Sequence, residues 1–414
     1  MARTPAVPIK KFKLPNGLRL LIKEDHRLPF VQLRAMLLGG VLAERPSNNG
    51  VTQLMAKVLV KGSEHRTGHQ IAEDIESVGG SIDAYGGNNS FGASIEVLSG
   101  DFALGLDVMA DLLQRPSFPS EALDRQRTVQ LAGLKAQQDK VLHSTFRHMR
   151  ETMFGRLGYG LDSLGTDTSL GAMKRHDLVN FHKLHAIPNN CVLALYGDVK
   201  TDQARAQAEQ AFGLWPRGEE PPAPRQPRPC EGQQRTVHQR DKEQAVVVLG
   251  YRGCTFRTPD RFALELIGEA CSDLGSRLFL RIREELGLAY YVGAQSQPGL
   301  TPGFFTYYAG TAPQHVEQVE AELLAEASKL AQEGLTEDEL RRAKAKVIGQ
   351  KKIARQDLGG LATMTGLDEL YGLGFDANER EDEHLQAVTC ADTQAAAVKY
   401  FNPNHSVVAL SRPK

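Results

Sequence analysis

Side chains able to do chemistry are few and scattered. His182 and His185 stand three residues apart on a stretch that reads as a helix, and His143 and His148 lie on another. Imidazoles on one helical face can hold a metal, but no carboxylate accompanies either pair at a ligand spacing. They read as surface or half-buried helix histidines. Cys191, Cys230, Cys254, Cys271 and Cys390 are odd in number and form no Cys-x-x-Cys pair. Neither a disulfide framework nor a cysteine zinc site is expected, and the thiols read as small buried hydrophobes. Leu157-Gly-Tyr-Gly160 and Tyr371-Gly-Leu-Gly374 lack the spacing of a phosphate loop and read as turns.

Two segments remain. In Gly50–Ser63, residues Val51, Leu54, Met55, Val58 and Leu59 recur at i, i+3, i+4, i+7 and i+8, one apolar helical face. In Ser276–Tyr290, Arg283 and Tyr290 are separated by six residues, with Arg281 two positions before. A guanidinium and a phenol both donate hydrogen bonds. On composition alone, such an arginine caps or ion-pairs its own helix and such a tyrosine packs in a strand.

The elements that must position these segments belong to an ordinary globular chain. Its 414 residues are 41% hydrophobic and 24% charged, which excludes collagen, coiled coil and wholesale disorder. The net charge is -1, and no basic run is interleaved with aromatics, so nucleic acid is not expected as a partner. No run approaches the ~20 apolar residues that span a bilayer, so no membrane is expected either. Met1–Lys11 lacks the apolar core of a secretory signal. The chain as written reads as cytoplasmic, and periplasmic if a signal peptide has been removed.

Six prolines between Pro216 and Pro229 mark an extended connector. At a constant offset of 215, Leu170 falls on Leu385, Asp177 on Asp392, Pro188 on Pro403, Asn189 on Asn404, Val192 on Val407 and Leu195 on Leu410. This regularity indicates an internal duplication, with domains over 1–215 and 233–414 and a linker over 216–232. Gly17–Lys23, Phe30–Leu38, Phe91–Val97, Ala245–Tyr251 and Phe304–Ala309 read as strands. Phe102–Leu113 and Val316–Leu330 read as helices, and Thr336 to Glu339 is a capping box opening another. The fold class expected is α+β, two homologous domains, each with helices packed on a largely antiparallel sheet.

Gly50–Ser63 also resembles the His-x-x-Glu-His signature of the insulinase-like (inverzincin) zinc peptidases, in the branch with mitochondrial processing peptidase and its small bacterial relatives. It matches at Gly50, Leu54, Lys61 and Gly62, with Ser63 for Thr. Gly79-Gly80-Ser-Ile-Asp-Ala-Tyr85 resembles that family's Gly-Gly-x-x-Asn-Ala-Tyr. Leu112-Leu113-x-x-Pro-x-Phe118, Gly158 to Asp162 and Pro188-Asn189-Asn190 fit as well. Ser276–Tyr290 is similar throughout to Ser-Arg-Leu-Phe-x-x-apolar-Arg-Glu-x-x-Gly-Leu-Ala-Tyr.

The resemblance implies half of a clamshell peptidase, and the departures from it are informative. Gln53 stands for the first zinc histidine, Ala56 for the catalytic glutamate and Lys57 for the second histidine. The third ligand position falls near Ala132 or Gly133. A catalytic zinc needs three protein ligands and an open position. A lysine ammonium about 4 Å from the metal would cost roughly 8 kcal/mol at an effective dielectric near 20. The chain is therefore expected to hold no zinc and no other cofactor. By resemblance, Arg283 and Tyr290 reach the zinc-bound substrate of a partner. That partner would be a zinc-bearing subunit of the same fold, forming a heterodimer that cleaves peptides or unfolded proteins. Arg281 is a rival for the arginine's role. The alternative is a catalytically silent scaffold or peptide-binding protein of the same fold. The strand expected by resemblance to receive a peptide along its edge is Tyr85–Val97.

Overall fold

The structure is a computed structural model that describes residues 8–225 and 231–414. Pro227, Pro229 and Cys230 of the connector lie outside the described residues. Residues 216–225 form neither helix nor strand.

The chain forms two compact units, each drawn from both halves of the sequence. One comprises Met1–Gly133, Ser163–Ala223 and Ile353–Asn378. The other comprises Leu134–Asp162, Pro224–Lys352 and Glu379–Lys414. The first unit holds strands β1 (Lys10–Lys13), β2 (Arg19–Glu24), β3 (Phe30–Leu38), β4 (Ser81–Gly86), β5 (Ser90–Leu98) and β6 (Cys191–Gly197). They lie in the order β1-β2-β6-β3-β5-β4. The second holds β7 (Gln234–Arg240), β8 (Ala245–Arg252), β9 (Ala289–Gln297), β10 (Phe304–Thr311) and β11 (Ser406–Pro413), ordered β7-β11-β8-β10-β9. Each sheet is antiparallel except for one parallel pair, β2 with β6 and β7 with β11. The two domains are thus homologous in topology, with β1 added to the first.

The 215-residue offset persists in detail. Helices Arg175–His185 and Cys390–Tyr400 each precede a short Pro-Asn turn, at Pro188–Asn190 and Pro403–His405. The strands β6 and β11 follow. The expected strand from Gly17 starts instead at Arg19. Gly17 adopts φ +96° and closes a turn in which Leu14 N–H donates to Leu18 C=O. A side chain would be strained in that left-handed backbone.

β6 and β8 are buried along nearly their whole length. One face of each meets the core, and a helix from the other half of the sequence covers the second face. Leu358–Leu370 packs on β3 and β6, while Val141–Phe154 packs on β8 and β11. In the first unit, Met36 on β3 fills the space that Gly366 leaves on its helix. In the second, Met149 on the helix fills the space that Gly250 leaves on β8. Met36 and Gly250 hold the same register position, opposite Val192 and Val407. The hydroxyls of Tyr196 and Thr365 join strand to helix in the first unit, 2.7 Å apart. Those of Ser411 and Thr145 do so in the second, 2.8 Å apart. Tyr196 and Ser411 are again 215 residues apart.

Candidate functional site

The helix Val51–Leu59 starts where Gly50, at φ +90°, turns the chain. Its first N–H groups have no partner within the helix. The buried Glu44 supplies one, accepting from Gly50 N–H at 2.7 Å, Thr52 N–H at 3.0 Å and the Asn49 amide at 2.8 Å. Burial raises this carboxyl above the ordinary carboxylate range even against those donors. Val51, Leu54, Met55, Val58 and Leu59 are all buried, as their spacing predicts.

The positions where the resemblance placed zinc chemistry do not fit a metal. Ala56 is buried in the core and Gln53 is half-buried. The Lys57 ammonium lies 3.0 Å from Asp83 Oδ1 and donates to Ala84 C=O at 2.9 Å. Gly133 sits on the helix Ser120–Asp139. That helix is tied to the start of Val51–Leu59 by Gln130, whose amide donates to Gly50 C=O at 3.1 Å and Leu164 C=O at 2.8 Å. A Cβ at Gly133 would touch only Leu164, so the space could take a side chain that the residue lacks. These positions offer one amide, a methyl group, an ammonium and a hydrogen. Among the described residues, no group of three or more His, Cys, Asp or Glu is placed to hold a metal ion.

Asp83 is the residue here that sequence reasoning missed. It stands where the resembling family's Gly-Gly-x-x-Asn-Ala-Tyr has asparagine, and it answers the lysine at 57. Two departures from one pattern, opposite in charge, were the available signal.

Arg283 and Tyr290 are brought together. Leu278, Ile282, Leu288 and Ala289 are buried and anchor the segment, so Arg281, Arg283 and Tyr290 face outward. Residues Phe279–Glu285 form a π-helical turn, a form frequent at functional sites. Gly287, at φ +65°, ends it and feeds the chain into β9. There Gly310 opposes Tyr291 and Thr311 opposes Ala289, leaving Tyr290 as the extra residue of a β-bulge. A bulge leaves its extra residue outside the ladder and re-aims the side chain. Arg283 Nη1 takes up the Tyr290 carbonyl at 2.8 Å, and its guanidinium stands over the Phe279 ring at 4.9 Å. The Tyr290 side chain is 60% exposed.

The two arginines differ in charge balance. Arg281 pairs with Glu285 at 3.0 Å and Glu322 at 3.3 Å, and hydrogen bonds to those carboxylates raise its pKa. Arg283 makes no ion pair among the described residues.

Two expectations need correction. The first concerns the histidines. His182 and His185 are buried, because the helix Arg175–His185 turns this face onto aromatic rings. His182 stands edge-on to Phe118 and His185 lies 4.4 Å from the Phe181 ring. Burial pushes both pKa values down to about 4. His143 and His148 are half-buried as read. His148 stacks on His238 at 3.4 Å, and burial followed by that neighbour pushes it down to about 3. The second concerns the sheet edge. β5 pairs with β3 on one side and β4 on the other, so 90–98 has no free edge. The end strand is β4, of which only Tyr85 and Gly86 belong to the expected stretch. Cys191, Cys254 and Cys271 are buried free thiols, and Cys390 is half-buried. No helix of the described residues is long and apolar enough to cross a membrane.

Comparison with known proteins covers both halves. Residues 19–167 match the family described as Insulinase (Peptidase family M16), and residues 172–347 match the Peptidase M16 inactive domain. An uncharacterized zinc protease of Streptomyces coelicolor is 30% identical over 430 residues, covering 98% of this chain and 90% of its own. Another from Rickettsia bellii is 29% identical over 395 residues, covering 94% of each. Among solved structures, a peptidase M16 inactive domain from Pseudomonas fluorescens superposes with TM-score 0.91 at 23% identity, covering 99% of this chain and 98% of that one. A protease from Helicobacter pylori does so with TM-score 0.91 at 16% identity, covering 99% and 100%. The chain belongs to the insulinase family of peptidases, family M16.

Proposed function

We propose that this chain is the non-zinc-binding subunit of a heteromeric zinc metallopeptidase, and that it acts through Arg283 and Tyr290 at the site of a zinc-bearing partner of the same fold. The observation that carries the reading is the bulge at Tyr290. It turns the phenol outward beside a guanidinium that makes no ion pair among the described residues. One donor of Arg283 is spent on the Tyr290 carbonyl, which fixes its direction, and the others remain for a ligand. When a peptide carbonyl is attacked, its oxygen gathers negative charge. A guanidinium and a phenol within hydrogen-bond distance stabilise that oxyanion. The neutralised Arg281 is less suited to the task. The substrates are peptides or unfolded protein segments. Zinc belongs to the partner, because the positions 53, 56, 57 and 133 supply no ligand set here.

A second reading keeps the chain as a catalytically silent scaffold. The Arg283 bond to the Tyr290 carbonyl and its contact with Phe279 would hold the turn together without any reaction.

Peptide hydrolysis by the complex with the zinc-bearing partner separates the two. Arg283→Ala and Tyr290→Phe are each expected to lower kcat by about 10²–10³, the usual cost of an oxyanion donor, with KM and assembly on gel filtration little changed. Arg281→Ala should have a much smaller effect, and Arg283→Lys should rescue poorly because an ammonium lacks the planar fork. Wild-type kcat for both Arg283→Ala and Tyr290→Phe in an assembled complex would leave the scaffold reading.

A further inference from the structure

The free side of β4 is where the first sheet could add another strand, and one side chain meets it. Gly87 N–H donates to Ser90 C=O at 2.8 Å, closing the β4–β5 hairpin. On the far side of β5, Gly39 N–H donates to Asn89 C=O at 3.1 Å. Antiparallel pairs alternate between bonded and non-bonded positions. Counted back from Gly87, Tyr85 and Asp83 are bonded to β5, so the Ala84 C=O points away from the sheet. That outward carbonyl is the one Lys57 reaches, while Asp83 holds the same ammonium.

The helix delivers the lysine by matching repeats. A Cβ on Gly86 would meet the backbone of Thr52 and Gln53 at 2.8 Å, so the helix runs directly against the strand there. Four residues along a helix advance about 6 Å, and two along a strand about 6.6 Å. Gln53 lies at Gly86, and Lys57, one turn on, arrives at Ala84. An incoming strand would need the Ala84 carbonyl between its bonds to Ile82 and Gly86. It would have to displace the ammonium or bury it, and burying a charge without full hydrogen bonding is costly.

We infer that Lys57 closes the edge of β4 to peptide strands, so that the first sheet of this chain does not take up a peptide by strand addition. The inference concerns this chain alone and goes beyond the proposed role of Arg283 and Tyr290, standing or falling without a partner.

The test is fluorescence anisotropy with the full chain. The probe is a fluorescein-labelled peptide of about twelve residues, alternating Thr and Val with Lys at both ends. Its control is the same peptide N-methylated at every residue, which has no backbone N–H to offer on either edge. Lys57→Ala should tighten binding of the parent peptide about tenfold, equivalent to about 1.4 kcal/mol, and leave the N-methylated peptide unchanged. Lys57→Met keeps the apolar stem and removes only the ammonium, so it should give the same gain even if alanine loosens the helix. Unchanged affinity in Lys57→Met, or an equal gain for the N-methylated peptide, would overturn the inference.

Discussion

Arg281 and Arg283 are two residues apart on one turn, yet among the described residues Arg281 is ion-paired and Arg283 is not. Side-chain direction decides this. Ile282 is anchored in the core between them, and carboxylates at 285 and 322 lie within reach of Arg281 alone. Lys57 and Asp83 show the same dependence on neighbours, each departing from the family pattern and each meeting the other. The buried histidines carry a measurable consequence. His182 and His185 have pKa values of about 4 in the folded chain, against ~6.5 when unfolded. Their folded pKa is depressed, so the stability at stake is present above about pH 6.5 and is lost as pH falls toward 4. By pH 5 each histidine should have cost about 2 kcal/mol. Urea unfolding at pH 7.5 and 5.0 should show this loss. His182→Leu, which removes the titrating group from its place against Phe118, should reduce it by about 2 kcal/mol. An identical pH dependence in wild type and variant would mean that His182 is not neutral and buried as described.

At the scale of elements, the duplication has preserved the contact between sheet and covering helix while exchanging who supplies its parts. Met36 on the strand meets Gly366 on the helix in one unit, and Gly250 on the strand meets Met149 on the helix in the other. Interiors are packed as tightly as organic crystals, so volume added on one side must be removed from the other. Gly366→Met should therefore destabilise by about 1–3 kcal/mol through overpacking. Met36→Gly combined with Gly366→Met copies the arrangement of the second unit and should recover much of that loss. A double-mutant cycle by urea denaturation reads the coupling. Additive losses would show that the two sites do not share one volume.

At the scale of the whole molecule, each compact unit depends on both halves of the sequence. The strands β3 and β6 bury their second faces only when Leu358–Leu370 covers them, and β8 and β11 do so only under Val141–Phe154. A chain cut in the connector should therefore hold together. Residues 1–215 and 233–414 expressed separately should each expose a sheet face and aggregate. Co-expressed, they should copurify as a one-to-one complex with far-ultraviolet circular dichroism close to that of the intact chain. Two soluble, independently folded halves would contradict this dependence.

Much of this was legible in sequence because periodicity and composition are local properties. The apolar face of Val51–Leu59, the strand Phe30–Leu38, the capping box at Thr336 and the 215-residue offset all rest on spacing along the chain. The apolar run Ala245–Tyr251 likewise read as a strand from its composition alone, and the structure adds that both of its faces are buried. The sequence by itself also fixes that Gln53, Ala56, Lys57 and Gly133 stand at the positions the resemblance assigns to zinc chemistry, since that depends on residue identity alone. What only the tertiary structure decided depends on approach across the fold. Long-range packing chose which helix covers which sheet, put His182 and His185 among aromatic rings, made β4 rather than β5 the sheet edge, and brought Lys57 to the Ala84 carbonyl. It also placed the bulge at Tyr290, because a bulge is a mismatch between two strands and neither strand's own sequence counts the residues of the other.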